Sequence, residues 1–142
     1  MRKVAVVYWS MGGNTAAMAE AVADGARQAG AEVLLRQVSE TTPEEALSCD
    51  AIALGCPAMG AEVLEESEFE PFFAQLEGSL GGKQVALFGS YGWGDGQWMR
   101  DWWERTEASG ALLVGSEGLI VHETPDEDGL ARCRELGADL AR

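Results

Sequence analysis

Short apolar segments alternate with helical segments along this chain, and that alternation limits its fold more than any other feature. Residues 3–8, KVAVVY, form a continuous apolar run, as is typical of a strand buried on both faces of a sheet. From Thr15 apolar residues recur at helical spacing up to Gly30, where a helix C-cap is expected. Further repeats predict strands at 32–37, 50–55, 84–89 and, in two pieces, 111–115 and 118–121.

The helices are predicted from caps and from the spacing of apolar residues. Thr42 and Pro43 indicate the start of a brief helix. Spacing further predicts helices over 64–80, around Trp98 to Thr106, and over 130–140, with Trp98, Trp102 and Trp103 serving as packing residues. Strand and helix alternation predicts an α/β fold, a three-layer sandwich with a five-stranded parallel sheet and helices on both faces.

Composition limits the class of protein. A chain of 142 residues fits a single domain, which we expect to span residues 1–142. Its 24 Asp and Glu against 10 Lys and Arg give a net charge of −14, which argues against nucleic-acid binding and against anionic membrane surfaces. No stretch reaches the roughly 20 apolar residues that span a bilayer. The three cysteines show no zinc or disulfide spacing, and we expect a cytoplasmic protein with reduced thiols.

Ligands of such folds bind beyond the carboxyl ends of the strands, so the loops after strands one, three and four are the candidate site. The first of these loops, Ser10–Thr15, offers backbone N–H groups, a helix N-terminus and uncharged polar side chains, which suit a phosphate. It has neither the Walker A lysine nor the G-x-G-x-x-G spacing. A plain glycine turn with capping residues is the alternative interpretation.

The other two loops carry side chains that suit a flat ring. Met59 follows the third strand, and a methionine packs well against an aromatic system, although core packing is its more common role. Tyr91 and Trp93 lie among glycines after the fourth strand, as a stacking platform or as a lid on their own helix. Taken together, the loops suggest a ligand with one phosphate and one large aromatic system, and flavin mononucleotide (FMN) fits that description.

Five segments of the chain form a recognisable pattern: residues 8–10 (YWS), 13–15 (GNT), 55–60 (GCPAMG), 70–73 (EPFF) and 89–96 (GSYGWGDG). In these segments and in their order, over nearly the whole chain, the sequence resembles the short-chain flavodoxins of anaerobic bacteria. No insertion interrupts the fifth strand, which also matches the short-chain type. The resemblance implies the strand order 2-1-3-4-5, one noncovalent FMN, and low-potential electron transfer between redox enzymes through the semiquinone and hydroquinone couple.

The resemblance also implies particular roles. Ser10, Asn14 and Thr15 would hold the phosphate, Met59 would cover the inner face of the isoalloxazine, and Trp93 the outer face. The peptide of Gly60 would turn over on reduction, and Glu62 would accept a hydrogen bond from the ring N3. The predicted cofactor-binding residues are Ser10, Met11, Gly12, Gly13, Asn14, Thr15, Pro57, Ala58, Met59, Gly60, Glu62, Ser90, Tyr91, Gly92, Trp93 and Gly94.

Two positions depart from the family pattern. Gly12 stands where a hydroxyl residue is usual, so one phosphate hydrogen bond is missing. Glu123 stands where related proteins tend to have an amide, near the ribityl end.

Charge predicts how the cofactor is tuned. Residues 62–70 contain five glutamates, which would oppose an additional negative charge on the flavin and so lower its second potential. The same acidic rim would attract basic redox partner proteins to a monomer. A solvated, solubilising helix face is the simpler reading of these charges.

Three other functions are compatible with a chain of alternating strands and helices. A receiver domain of two-component signalling would need a phosphorylatable aspartate at the end of the third strand, where this chain has Gly55 and Cys56. An FMN-dependent quinone reductase on the same fold is the stronger alternative, and a cofactor-free interaction module is the third. His122, the single histidine, is interpreted as structural or exposed, and Cys56, which has no basic neighbour, as a packing residue.

Overall fold

Valine-rich and alanine-rich strands form the centre of the molecule because both of their faces are covered. The computed structural model describes residues 2–142. Its strands are β1 (Lys3–Tyr8), β2 (Glu32–Gln37), β3 (Ala51–Gly55), β4 (Gln84–Tyr91), β5 (Leu112–Leu113) and β6 (Leu119–His122). Its helices are α1 (Asn14–Gln28), α2 (Pro43–Leu47), α3 (Phe69–Glu77), α4 (Gln97–Ala108) and α5 (Glu127–Ala141), with a 3-10 turn at Val38–Glu40.

The sheet is parallel in every pair of strands, in the order β2-β1-β3-β4-β5, which confirms the predicted order. The two predicted pieces of the fifth strand are confirmed, and they form the separate strand segments β5 and β6. β5 pairs with the first residues of β4, whereas β6 pairs with residues Phe88 to Tyr91 further along. Gly115 interrupts the edge strand because its φ of 90° is incompatible with extended backbone.

Alternate side chains of each strand enter two separate cores. Val4 and Val6 of β1 pack with Met18, Val22 and Leu140 beneath α1 and α5. The other face of the sheet packs against α3 and α4, and its largest buried side chains there are Phe69, Phe73, Trp98 and Trp102. The predicted packing role of the tryptophans is confirmed, with Trp103 partly buried at the edge of the same core.

Helix α3 is shorter than the predicted 64–80. The carboxylate of Glu65 accepts hydrogen bonds from the N–H groups of Ser67, Glu68 and Phe69, and it thereby folds residues 65–68 into a turn that caps the helix. The helix therefore begins at Phe69. The brief helix after Thr42 is confirmed, since the Thr42 side chain accepts from the N–H of Glu45 at 3.2 Å. No helix within residues 2–142 has the length and apolar character needed to cross a bilayer.

Candidate cofactor-binding site

The loop between β1 and α1 leaves the amino end of a long helix open. Gly13 precedes α1 with φ 93°, and no side chain caps the helix there. The Ser10 hydroxyl oxygen accepts from the N–H of Gly13 at 3.2 Å, so the loop is closed on itself. The first turn of α1 contains no acidic residue. An uncapped helix start without nearby carboxylates is suited to an anion such as a phosphate.

Thr15 connects this loop to the end of β4. It is buried, and its hydroxyl accepts a hydrogen bond from the Ser90 N–H at 3.4 Å. The Ser90 hydroxyl donates in turn to the carbonyl oxygen of Glu123 at 2.7 Å. These two contacts hold three separate segments of the chain together at one end of the sheet.

The loop after β3 contains a tight hairpin. Met59 and Val63 exchange both backbone hydrogen bonds at 2.9 Å, so residues 60–62 form its tip. Gly60 and Glu62 both adopt left-handed backbone, with φ 51° and 56°. Glycine adopts this conformation without steric cost, whereas it is unusual for glutamate.

Cys56 lies beneath this loop and is fully buried. Its sulfur accepts from the N–H of Glu65 at 3.4 Å, and its carbonyl oxygen accepts from the indole N–H of Trp98 at 3.1 Å. Burial raises the pKa of the Cys56 thiol to about 12. The sulfur therefore packs and does not react as a thiolate.

The loop after β4 exposes one aromatic ring and packs another. The Tyr91 ring lies 5.6 Å from the Trp98 ring and 5.1 Å from the His122 ring, measured between centroids. His122 also lies with Nε2 3.3 Å from the carbonyl oxygen of Gly92. The Trp93 side chain, by contrast, is 55% exposed. The tyrosine is thus fixed in place, whereas the indole of Trp93 is available for contact with another molecule.

The three loops meet around one cleft of about 310 Å³. Eleven predicted residues line it: Ser10, Met11, Gly12, Asn14, Thr15, Pro57, Ala58, Met59, Ser90, Tyr91 and Gly92. The other predicted residues, Gly13, Gly60, Glu62, Trp93 and Gly94, do not line it among residues 2–142. They follow or precede lining residues in the same loops. The predicted convergence of the loops is therefore present, and the part that each residue plays in binding stays a prediction.

The structure adds Trp9 and Thr124 to the predicted set, and it places Glu123, which was expected near the ribityl end, in the same lining. Trp9 directly precedes the first loop, and its indole N–H donates to Glu68 at 3.2 Å. Because Trp9 directly follows a buried strand, its position in the sequence could have identified it as a residue of the cleft. Thr124 follows β6, whose carboxyl end lies at the same edge of the sheet. Ligands of such folds bind beyond the carboxyl ends of the strands, and this holds for β6 as it does for β1, β3 and β4.

Glu62 lies apart from the cleft lining. One of its carboxylate oxygens, Oε1, accepts a hydrogen bond from the N–H of Gln97 at 3.1 Å, and the side chain borders a smaller cavity of about 130 Å³ beside α4.

Only part of the acidic segment 62–70 carries free charge. Glu65 is buried, and Glu70 forms two hydrogen bonds of 2.7 Å with Arg105, which also pairs with Glu77. Glu66 and Glu68 are exposed. The charge of Glu70 is thus balanced by Arg105, whereas Glu68 keeps its negative charge beside the cleft residue Trp9.

A second cavity of about 300 Å³ lies between α4 and residues 116–120. It contains none of the predicted binding residues and is lined in part by apolar side chains, including Met99, Trp103 and Ile120. The helix start and the polar loop donors belong to the cleft at the carboxyl ends of the strands, so the cleft is the candidate site.

The comparison with known proteins agrees with this geometry. The flavodoxin family model matches residues 6–137. The chain is 48% identical over 139 residues to a flavodoxin of Megasphaera elsdenii, covering 98% of each protein. It is 50% identical over 136 residues to a flavodoxin of Clostridium beijerinckii, covering 96% of this chain and 97% of that one.

A solved structure of a flavodoxin also matches the fold of this chain. The solution structure of two-electron reduced Megasphaera elsdenii flavodoxin matches with a TM-score of 0.89 at 48% identity, over 97% of this chain and 98% of that one. The length of these relatives is that of the short-chain type. Family match, identity and coverage together show that the chain belongs to the flavodoxin family, whose members bind FMN and transfer electrons between redox proteins without being enzymes.

Proposed function

We propose that this flavodoxin is a low-potential one-electron carrier that binds FMN in the cleft between its three loops. The observation that carries the proposal is the convergence of an uncapped helix start, a methionine and an aromatic loop on one cleft. FMN supplies the redox chemistry when bound, and the protein supplies binding, orientation and electrostatics.

The β1–α1 loop would hold the phosphate without a cation. The N–H groups at the start of α1 and the side chains of Ser10, Asn14 and Thr15 are the donors. A β-carbon added to Gly12 would meet no atom within 4 Å, so the position has room for the hydroxyl side chain that the family usually places there. The glycine therefore omits one donor, and this supports weaker phosphate binding than in relatives with a serine or threonine.

The ring would lie between the β3–α3 and β4–α4 loops. Met59 lines the cleft and is half-buried, so its thioether is suited to one face of the ring. The exposed indole of Trp93 is available for the opposite face, where stacking would remove its apolar surface from water. The carbonyl oxygen of Gly60 would accept a hydrogen bond from the flavin N5–H, and Glu62 would accept one from N3–H.

Carboxylates near the cleft support a low potential. Glu123 lines it, and Glu68 touches the cleft residue Trp9. Each negative charge opposes the second electron, which adds charge to the ring in a partly dry pocket. Exposed carboxylates are screened over about 8 Å at physiological salt, so those closest to the cleft contribute most. In use, the carrier would then alternate between the half-reduced and the fully reduced flavin, and the second potential would be the relevant one.

The same charges support docking of basic partner proteins. Glu66, Glu68 and Glu123 are exposed, Glu68 contacts the cleft residue Trp9, and Trp93 offers an exposed apolar side chain, a combination that suits transient association of a monomer. A cytoplasmic location is supported by the three cysteines, which are free and buried.

A flavin titration tests the proposal. The purified protein is mixed with FMN, and quenching of flavin fluorescence gives the stoichiometry and dissociation constant. A reductive titration of the complex then gives both midpoint potentials. We expect one FMN per chain and a second potential below that of free FMN. Absence of binding, or a second potential equal to that of free FMN, would contradict the proposal.

A quinone reductase on this fold is not favoured, because the relatives that match over nearly their full length are flavodoxins.

A further inference from the structure

Glu62 adopts an unusual backbone conformation at the tip of the hairpin. Its φ is 56°, and among residues 2–142 only Glu123 is another non-glycine residue with positive φ. Left-handed backbone is unfavourable for a residue with a β-carbon, and such outliers are often found at functional sites. The two hydrogen bonds between Met59 and Val63 maintain this conformation.

The Glu62 carboxylate caps a helix that begins 35 positions later in the sequence. Helix α4 starts after Gly96, which has no side chain that could cap it. Glu62 Oε1 accepts from the N–H of Gln97, the first helical residue, at 3.1 Å. A helix leaves its first N–H groups without partners inside the helix, and a carboxylate is a favourable acceptor there because of the helix dipole.

Gly94 makes room for this contact. A β-carbon at position 94 would lie 2.5 Å from Glu62 Cδ and 2.6 Å from Oε1. The carboxylate therefore lies directly against the β4–α4 loop. By contrast, a β-carbon on Gly92 in the same loop would meet no atom within 4 Å.

We propose that Glu62 is a positioning residue that connects the two loops expected to enclose the flavin ring. We call its contact with the Gln97 N–H the Glu62 bridge. The inference rests on the proposed function and extends it. The bridge joins the tip of the Met59–Val63 hairpin to the point where the Trp93 loop enters α4, so the spacing of the two loops is set before FMN arrives. A site ordered in advance loses less entropy on binding and therefore binds more tightly.

Amide hydrogen exchange in the FMN-free full chain tests the bridge. Glu62→Ala removes the acceptor, and we expect exchange at the Gln97 amide to become about tenfold faster, as for the loss of a charge-assisted hydrogen bond. Glu62→Gln keeps an acceptor oxygen and should retain most of the protection. Glu66→Ala is the matched control, because it removes the same charge from an exposed position nearby. Unchanged exchange at Gln97 in Glu62→Ala would overturn the proposal.

Two glycine variants test the same contact without altering Glu62. Gly94→Ala should displace the carboxylate and speed exchange at Gln97, whereas Gly82→Ala, which puts alanine at a similar φ of 75° with no atom within 4 Å of the added β-carbon, should not. This pair also keeps the test available if Glu62→Ala does not fold. Equal exchange at Gln97 in both variants would count against the bridge.

FMN affinity supplies the functional readout. In the proposed function Glu62 also accepts from the flavin N3, so Glu62→Ala removes both that contact and the bridge, whereas Glu62→Gln keeps an acceptor for each. We therefore expect Glu62→Ala to weaken FMN binding about tenfold and Glu62→Gln to restore most of the affinity, with the exchange at Gln97 reporting the bridge by itself. If both variants weaken binding equally, the carboxylate acts through its charge and not by positioning the loops, and the proposal fails. If the wild-type chain binds no FMN, the proposed function fails, but the exchange measurement still decides whether the bridge exists.

Discussion

Gly137 of α5 lies against the backbone of Val22 in α1, so closely that a β-carbon at position 137 would be 1.9 Å from the Val22 carbonyl oxygen. The contact is reciprocated nearby, because a β-carbon on Gly25 would be 1.9 Å from the carbonyl oxygen of Arg134. The two helices thus touch through their backbones. Since the open end of α1 is the proposed phosphate site, this packing also fixes the direction in which that end points.

Replacing Gly137 with alanine should destabilise the protein. Alanine favours a helix by about 1 kcal/mol over glycine. The added methyl group, however, meets backbone atoms of α1, which move only if the two helices separate, and overpacking of this kind costs about 1–3 kcal/mol. We expect the clash to outweigh the helix preference, giving a lower free energy of unfolding by urea denaturation of the FMN-free chain.

Gly129→Ala in the same helix serves as the comparison. Its added β-carbon would lie 3.2 Å from a methyl carbon of Val121, a side-chain atom that can adjust. We therefore expect a much smaller change than for Gly137→Ala. Equal effects of the two substitutions would show that the contact with Val22 is not the limiting one.

Acid should lower the free energy of unfolding of the protein by protonating Glu65. Burial pushes the pKa of Glu65 upward, but hydrogen bonds from the Ser67 hydroxyl and from the N–H groups of Phe69, Glu68 and Ser67 outweigh it and hold this pKa below 4.5. The folded state then binds its proton less readily than the unfolded state. The stabilisation is complete above pH 4.5 and is lost as pH falls through the lowered value.

Glu65→Gln should remove this dependence. We expect the variant to be less stable at pH 7 by about 1.5–3 kcal/mol, the usual range for hydrogen bonds to a charged group, and the difference should shrink below pH 4.5. Urea denaturation at a series of pH values measures both effects. Glu66→Gln, at an exposed position, should follow the wild-type pH profile. A constant difference between wild type and Glu65→Gln from pH 7 to pH 3 would exclude the carboxylate network as its cause.

The sheet and the three loops could be predicted because their signals are local. The run of residues 3–8 is apolar at nearly every position, and the structure places β1 at the same residues. The glycine-rich loops follow strand ends directly, and parallel strands bring their carboxyl ends to one edge. Eleven of the predicted residues consequently line one cleft.

What could not be predicted depends on contacts between distant residues. The hydroxyl of Thr15 meets the Ser90 N–H across 75 positions, and Glu62 meets Gln97 across 35. The start of α3 was misplaced for a related reason. Helical spacing from Leu64 onward does not reveal that the Glu65 carboxylate turns back onto the backbone and delays the helix to Phe69. Apolar periodicity detects a buried face, but it does not show where a side chain interrupts the backbone pattern.

Gly60→Ala should bring the two midpoint potentials of the bound flavin closer together. Gly60 has φ 51°, and alanine makes left-handed backbone costlier by about 1–2 kcal/mol. The proposed turning of the Gly60 peptide toward the flavin N5 favours the first electron, so hindering it should lower the first potential. A redox titration of the FMN complex measures the separation.

Gly82→Ala controls for backbone strain in general. Gly82 also has positive φ, 75°, with no atom within 4 Å of an added β-carbon, but it precedes β4 at the opposite end of the sheet. Its separation of potentials should equal that of wild type. A Gly60→Ala protein with unchanged separation would speak against the turning peptide.

Trp93→Ala should weaken FMN binding without affecting the FMN-free protein. The indole is 55% exposed, so its removal leaves no cavity in the core and the free energy of unfolding should stay within about 0.5 kcal/mol of wild type. Stacking of an aromatic pair contributes about 0.5–1.5 kcal/mol beyond burial of area, so the dissociation constant for FMN should rise roughly tenfold. Trp93→Phe keeps a smaller ring, so its dissociation constant for FMN should lie between those of the wild type and Trp93→Ala. Fluorescence titration with FMN gives all three constants, and an unaltered constant in Trp93→Ala would mean that the indole does not cover the ring.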